Sequence, residues 1–206
     1  MSKAKIPLKV STDESITDES MKSCDVKISH NMILFSKSEL KLQSVNSYID
    51  QYGMECTSAL CAGKTDTEQP FGIDNTHMCA MQRFTSNKTS RFLISIENGI
   101  YVVDNIVKDM CVVIIKDTVT GKTYDNKDMI NETSIIVPDG ETLLSKAQES
   151  KSDSGLGFNV TLGSMLATKY KAPKNDWMGV MTGTSRSEQI KIALDSVWNT
   201  LMKETV

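Results

Sequence analysis

A mixed α/β domain is the fold class that the sequence predicts, on three observations. A short continuous apolar run, Met32-Ile33-Leu34-Phe35, is followed at once by an amphipathic helical stripe. Between residues 92 and 116, β-branched residues dominate three closely spaced segments, and the chain closes on apolar residues at helical spacing. The order strand, helix, helix, several strands, helix, helix gives a mixed sheet containing at least one hairpin. A length of 206 residues suits one domain. With 39% hydrophobic but only 6% aromatic residues, its core must rest on Ile, Val, Leu and Met.

No aromatic residue precedes Phe35. Residues 1–30 therefore read as an N-terminal extension, a mobile loop over 11–23 flanked by two alternating stretches, Ile6-x-Leu8-x-Val10 and Val26-x-Ile28, that suit edge strands. Residues 31–206 form the domain. The run from Met32 has the texture of a strand buried on both faces. Leu42, Val45 and Ile49 then mark a helix, for which Ser36 or Ser38 supplies the N-cap. Ile73, His77, Ala80/Met81 and Phe84 draw a second stripe, with Asp74 in its first turn, where negative charge suits the helix dipole.

Residues 92–96, 100–103 and 110–116 are strand candidates, separated by Asn98-Gly99 and Asp104-Asn105. Asn98-Gly99 is the favoured pair for a type I′ hairpin turn. Residues 135–137 end at Pro138, residues 141–148 suit a helix, and Ile190, Ala193/Leu194, Val197 and Leu201 predict the last one.

Composition excludes several functions. A net charge of −3 gives no electrostatic footprint for nucleic acid or an anionic membrane. Two histidines exclude a His-rich metal cluster, so a catalytic metal must be held by oxygens. Five cysteines without a C-x-x-C pair argue against a disulfide framework and a structural zinc site. The start lacks an apolar signal region, and no apolar run approaches the roughly 18 residues of a membrane span, so a soluble, cytoplasmic protein is expected. Gly-Lys-Thr occurs at Gly63 and Gly121, but each lacks the upstream glycine of a phosphate loop, so both read as turns, the second as a hairpin tip. Asp153-Ser154-Gly155-Leu156 reads as a loop from its serine-rich surroundings.

Five segments in register carry a resemblance. Glu68-Gln69-Pro70-Phe71-Gly72, followed by Asp74-Asn75-Thr76 and Ala80-x-Gln82-Arg83, resembles Q-P-F-G-x-E-E-T-x-x-G-A-x-N-R of the inosine/xanthosine triphosphatases. Residues 32–41 resemble that family's opening V-V-x-A-T-T-N-P-x-K, and residues 93–100 its V-x-x-E-x-G-I. Val137-Pro138 is similar to its L-P, and residues 177–186 to its G-x-x-T-x-G-x-x-T-R. The resemblance runs from Met32 to about Leu201.

It implies an inosine-triphosphate pyrophosphatase-like fold: an elongated mixed sheet flanked by helices, with a cleft between two lobes. It also implies a homodimer that hydrolyses purine nucleoside triphosphates, ITP or XTP, to diphosphate and phosphate with Mg²⁺ or Mn²⁺. Lys41 and Glu97 would be catalytic. Ser36, Lys37, Ser38, Lys41, Arg83, Asn98, Thr182 and Arg186 would bind substrate, and Glu97, Asp66 and Asp74 the metal. Arg83 has a structural alternative, a pair with Asp74 or Glu68.

The departures are specific. The phosphate-loop asparagine is Ser38, followed by the carboxylate of Glu39; a metal-binding glutamate is Gly63, for which Asp66 or Glu68 would substitute if the loop reshapes; the second acid of E-E-T is Asn75. A weakened member that binds nucleotide without turning it over is the alternative. A module that keeps only the fold, with Lys41 and Glu97 as a salt bridge, is the third possibility.

Overall fold

The computed structural model describes residues 32–59, 67–85, 90–173 and 177–205. The expected edge strands at 6–10 and 26–28 and the loop at 11–23 lie outside these.

Strand β1 (Met32–Phe35) is buried along its whole length, and helix α1 (Glu39–Ile49) follows after three residues. Ser38 is the N-cap, its hydroxyl accepting from the Lys41 N–H at 3.3 Å. A one-turn 3-10 helix leads to β2 (Cys56–Ala59), parallel to β1. Next come β3 (Gln69–Pro70) and helix α2 (Ile73–Met81). The long hairpin of β4 (Phe92–Val103) and β5 (Ile106–Asp117) forms the spine of the sheet.

A turn at Gly121 leads to β6 (Thr123–Asp125), so the second Gly-Lys-Thr is a hairpin tip as expected. Helix α3 (Ile130–Thr133), β7 (Ile135–Ile136) and α4 (Gly140–Ala147) follow, then β8 (Gly157–Phe158), α5 (Leu162–Tyr170), α6 (Trp177–Thr182) and α7 (Arg186–Thr205). The sheet runs β2-β1-β4-β5-β6, with β7 also on β5, and β3 pairs separately with β8. Both parallel and antiparallel pairs occur, giving the mixed α/β class that the element order predicts.

Alternation along the strands distributes the core. Phe92, Ile94 and Ile96 of β4, with Cys111, Val113 and Ile115 of β5, meet α1 and α7 on one face. Met110, Val112 and Ile114 meet Ala80 and Ile130 on the other. A further cluster joins Ile100 and Val107, near the hairpin end, to α4, α5 and α6. The terminal helix packs as its pattern requires, with Ile190, Ala193, Leu194, Val197 and Leu201 all buried. Among the described residues, no helix is long and apolar enough to cross a membrane.

Two expectations are corrected. Asn98-Gly99 is not a turn: Asn98 pairs with Cys111 and Gly99 with Met110 inside one unbroken strand. The hairpin turns at Asp104 and Asn105, whose φ angles of 50° and 61° suit a type I′ turn. Gly99 is needed for close packing instead, because a Cβ there would sit 2.0 Å from Thr76 Oγ1 on α2. On α2 itself the buried residues are Thr76, Cys79 and Ala80, whereas Met81 is exposed and His77 is half-buried beside Asp125, 3.0 Å from its carboxylate. Ile73, Ala80 and Phe84 of the expected stripe do pack in the core, whereas Met81 and His77 give way to the small residues Thr76 and Cys79, which face the strand that α2 packs on.

Candidate active site

The site follows from where strands stop. The last β1 residue paired with β4 is Leu34, opposite Ile94, whereas β4 continues to Val103. Its free edge is covered again at Ile100, which bridges to Phe71 and accepts the Gly72 N–H at 2.8 Å. Between these pairings, at Glu97 and Asn98, no strand covers that edge among the described residues, and a cavity of about 180 Å³ opens there. A break beyond the carboxyl end of a parallel strand is where open α/β sheets place ligands.

Lys41 comes from the first turn of α1, directly after β1. Its ammonium donates to Ile96 O at 2.8 Å, an acceptor exposed by the end of β1, and lies 3.9 Å from Glu97 Oε1. Burial pulls the lysine below its ordinary value of 10.5, against the opposing pull of the Glu97 carboxylate. Glu97, near the middle of β4, is 7% exposed. Its Oε2 accepts from Arg83, which lies just beyond α2, and its Oε1 accepts the Asn98 N–H at 3.1 Å. Arg83 therefore pairs with neither Asp74 nor Glu68; the turn after α2 carries it over the β4 edge.

Arg186 opens α7 and clasps Asp109 of β5 with both ends of its guanidinium, at 2.5 and 3.0 Å. Gln189, one turn on, accepts from Arg186 at 2.7 Å and donates to the Asp109 backbone oxygen at 3.1 Å. The cavity thus holds two ionic groups, Lys41–Glu97–Arg83 and Arg186–Asp109, in which each cation faces a carboxylate.

Of the predicted residues, Lys41, Glu97, Asn98 and Arg186 line one cavity, and Arg83 joins it through Glu97. Ser36 and Ser38 shape the turn into α1, where the Ser38 N–H donates to Ser36 Oγ at 3.1 Å. Lys37 is exposed. Glu39, the departure with a charge of the wrong sign, points outward and accepts from Gln43 at 3.1 Å. Thr182 is turned back on α6, donating to Met178 O at 2.8 Å, and does not line the cavity. Asp74 is not brought to Glu97: its carboxylate is exposed and paired with Lys127 at 2.6 Å. Asp66 and Gly63 lie outside the described residues.

Asp109, Gln69 and Trp177 are among the lining residues to which the sequence gives no role. Asp109 follows Lys108 inside a β-branched run, and alternation alone turns it to the α7 face. Gln69 lies within the quoted Q-P-F-G string and Trp177 at the head of another, but neither was given a role. Cys111 is held at about 12 by burial and stays a thiol, so it offers no thiolate nucleophile.

Among the described residues, no three Asp, Glu, His or Cys side chains converge to hold a metal ion. Glu97 and Glu68, the latter a substitute for the missing metal glutamate, are the lining carboxylates that the sequence offers to a metal. This donor set fits an ion that arrives with substrate phosphates, since Mg²⁺ takes few protein ligands when phosphate oxygens supply the others.

No family model matches the chain, and no curated protein matches it significantly. Its fold is similar to the crystal structure of protein VC0702 from Vibrio cholerae, with a TM-score of 0.62, 13% identity, and coverage of 86% of this chain and 98% of that one. At that identity the likeness shows the fold alone.

Proposed function

We propose that the chain binds a purine nucleoside triphosphate, with the divalent ion such substrates carry, at the β4 gap and hydrolyses ITP or XTP to the diphosphate and orthophosphate. The observation that supports this reading is the meeting of Lys41, Glu97, Asn98 and Arg186 at one cavity. Lys41, the Glu97-Asn98 pair and Arg186 are widely separated along the chain, and the sequence resemblance assigns Lys41, Asn98 and Arg186 to substrate and Glu97 to catalysis and the metal. Water would add its oxygen to the terminal phosphorus as the bond from that phosphorus to the bridging oxygen breaks. Lys41 would neutralise phosphate oxygens, and Arg186 would exchange Asp109 for phosphate in the same forked geometry. Glu97 is the carboxylate to hold Mg²⁺ or Mn²⁺, which when bound polarises the phosphoryl group.

A second reading, nucleotide binding without turnover, is favoured by one feature: both Glu97 oxygens already accept hydrogen bonds. Orthophosphate release from ITP, XTP, dITP and GTP, with and without Mg²⁺, separates the two. Mg²⁺-dependent release is expected. No release together with nucleotide-dependent thermal stabilisation establishes the second reading. Pyrophosphate and monophosphate as products would place the cleavage one bond further in.

A further inference from the structure

A second cavity, of about 290 Å³, is lined by the rings of Tyr52, Phe92 and Trp198, by Arg91, and by Met54 and Met202. None of these residues lines the β4 gap. A strand rises about 3.3 Å per residue and a helix about 1.5 Å, so Phe92 lies roughly 17 Å along β4 from Glu97, and Trp198 roughly 18 Å along α7 from Arg186. The two cavities are therefore separate. Trp198 packs with both of the other rings, its centroid 5.3 Å from that of Tyr52 and 5.9 Å from that of Phe92. The Arg91 guanidinium lies over the Phe92 ring, 4.8 Å from its centroid.

Two donors in these walls have no acceptor. Among the described residues, Arg91 Nε and Trp198 Nε1 are the buried side-chain polar atoms left without a hydrogen-bond partner, and both side chains line this cavity. For Arg91 the cause is visible. Its Nη2 donates to Asp117 Oδ2 at 3.2 Å, whereas Asp117 Oδ1, the oxygen that would complete a forked pair with Nε, accepts the Val119 and Thr120 N–H groups at 2.9 and 3.4 Å. A buried indole N–H likewise usually has a partner. Donors in that state are costly unless something accepts from them, and their meeting at one cavity calls for an acceptor from outside the chain.

We propose that this cavity binds a small, uncharged aromatic carbonyl compound, its ring packed on Trp198 and its carbonyl oxygen accepting from Arg91 Nε and Trp198 Nε1. An apolar cavity of roughly 150 Å³ holds benzene, so the space here takes a substituted ring. A carbonyl oxygen has two lone pairs and can serve two donors. The absence of charge follows from Asp117, which is 1% exposed and already balances the Arg91 guanidinium. A ligand carboxylate would set a second buried anion against that one cation. Both stranded nitrogens are shielded from solvent, and the unbranched thioether chains of Met54 and Met202 are the part of the lining that repacks most readily around an entering ring. Binding here is independent of the nucleotide reading of the β4 gap.

The test is titration of the isotope-labelled full-length protein, followed by nuclear magnetic resonance, with three probes. Acetophenone carries the ring and the carbonyl, toluene lacks the acceptor, and benzoate is charged. The chain has two tryptophans, hence two indole N–H signals, and Trp198→Phe identifies the one that belongs to Trp198. Acetophenone is expected to move the Trp198 indole proton downfield and saturably while leaving that of Trp177 in place. It should bind about tenfold more tightly than toluene or benzoate, the size of one hydrogen bond to a stranded donor. Arg91→Lys keeps a cation for Asp117 and removes the Nε–H, so it should weaken acetophenone by about tenfold and leave toluene unchanged. If Arg91→Lys does not fold, the ranking of the three probes on the wild type decides the matter. No saturable shift of the Trp198 signal, or equal affinity for acetophenone and toluene, would overturn the proposal. Tightest binding of benzoate would overturn the uncharged class.

Discussion

At the residue scale, the buried cations carry the most exposed commitments of the account. Lys41 is held below 10.5 chiefly by burial, so it loses its proton at a lower pH in the folded chain than in the unfolded one. Between the folded value and 10.5 the unfolded chain binds more protons, so this group's contribution to stability rises with pH across that window. Nucleotide binding needs the ammonium and runs the other way. The alkaline limb of ITP affinity should therefore fall at a pH below 10.5 and disappear in Lys41→Met. An alkaline limb at the ordinary lysine value in the wild type would contradict the environment described for Lys41.

Asp109 and Arg186 offer a second check at this scale. Removing one partner of a buried pair leaves the other uncompensated, and Asp109→Asn should cost on the order of 3 kcal/mol in urea denaturation. A triphosphate supplies the missing anion, so adding ITP without metal should stabilise Asp109→Asn more than the wild type. Equal stabilisation of the two would mean that Arg186 does not meet the phosphates.

At the element scale, the sequence was legible where a pattern is complete within one segment. The α7 stripe and the Ser38 cap are local, and both hold. The Asn98-Gly99 turn did not, because a two-residue turn signal competes here with a full ladder of pairing partners on β5 and with the approach of α2. Tertiary pairing won over local preference. The glycine can be tested at the place its new role predicts: Gly99→Ala should cost about 2 kcal/mol by overpacking against Thr76. A loss within the scatter of surface substitutions would mean that α2 and β4 are further apart than described. The site was legible only in part for a related reason. Residue types at Lys41, Arg83, Glu97 and Arg186 announce their chemistry, whereas the pairing of Arg83 with Glu97 and the arrival of Asp109 are set by which strand edge is free and which face a strand residue takes.

At the scale of the whole molecule, the fold explains why these residues meet. β1 is short, β4 is long, and Phe71 returns to the same edge of β4 further along, so the sheet itself leaves the gap. The first turn of α1 and the first residue of α7 both reach it. The scarcity of histidine agrees with the proposed function, which would call on oxygen ligands and cations and no imidazole. The mild negative charge of the chain conceals a cavity in which positive and negative groups are closely matched, so that binding a triphosphate requires existing pairs to exchange partners.

The central claim, that this gap is a nucleoside-triphosphate hydrolase site, is tested most directly by orthophosphate release from ITP by the purified protein in Mg²⁺, set against Glu97→Gln. The account predicts Mg²⁺-dependent release by the wild type and its loss, by about two orders of magnitude or more, in a variant that still melts cooperatively. Release by Glu97→Gln at the wild-type rate, or none from the wild type with any of ITP, XTP, dITP or GTP, would contradict it.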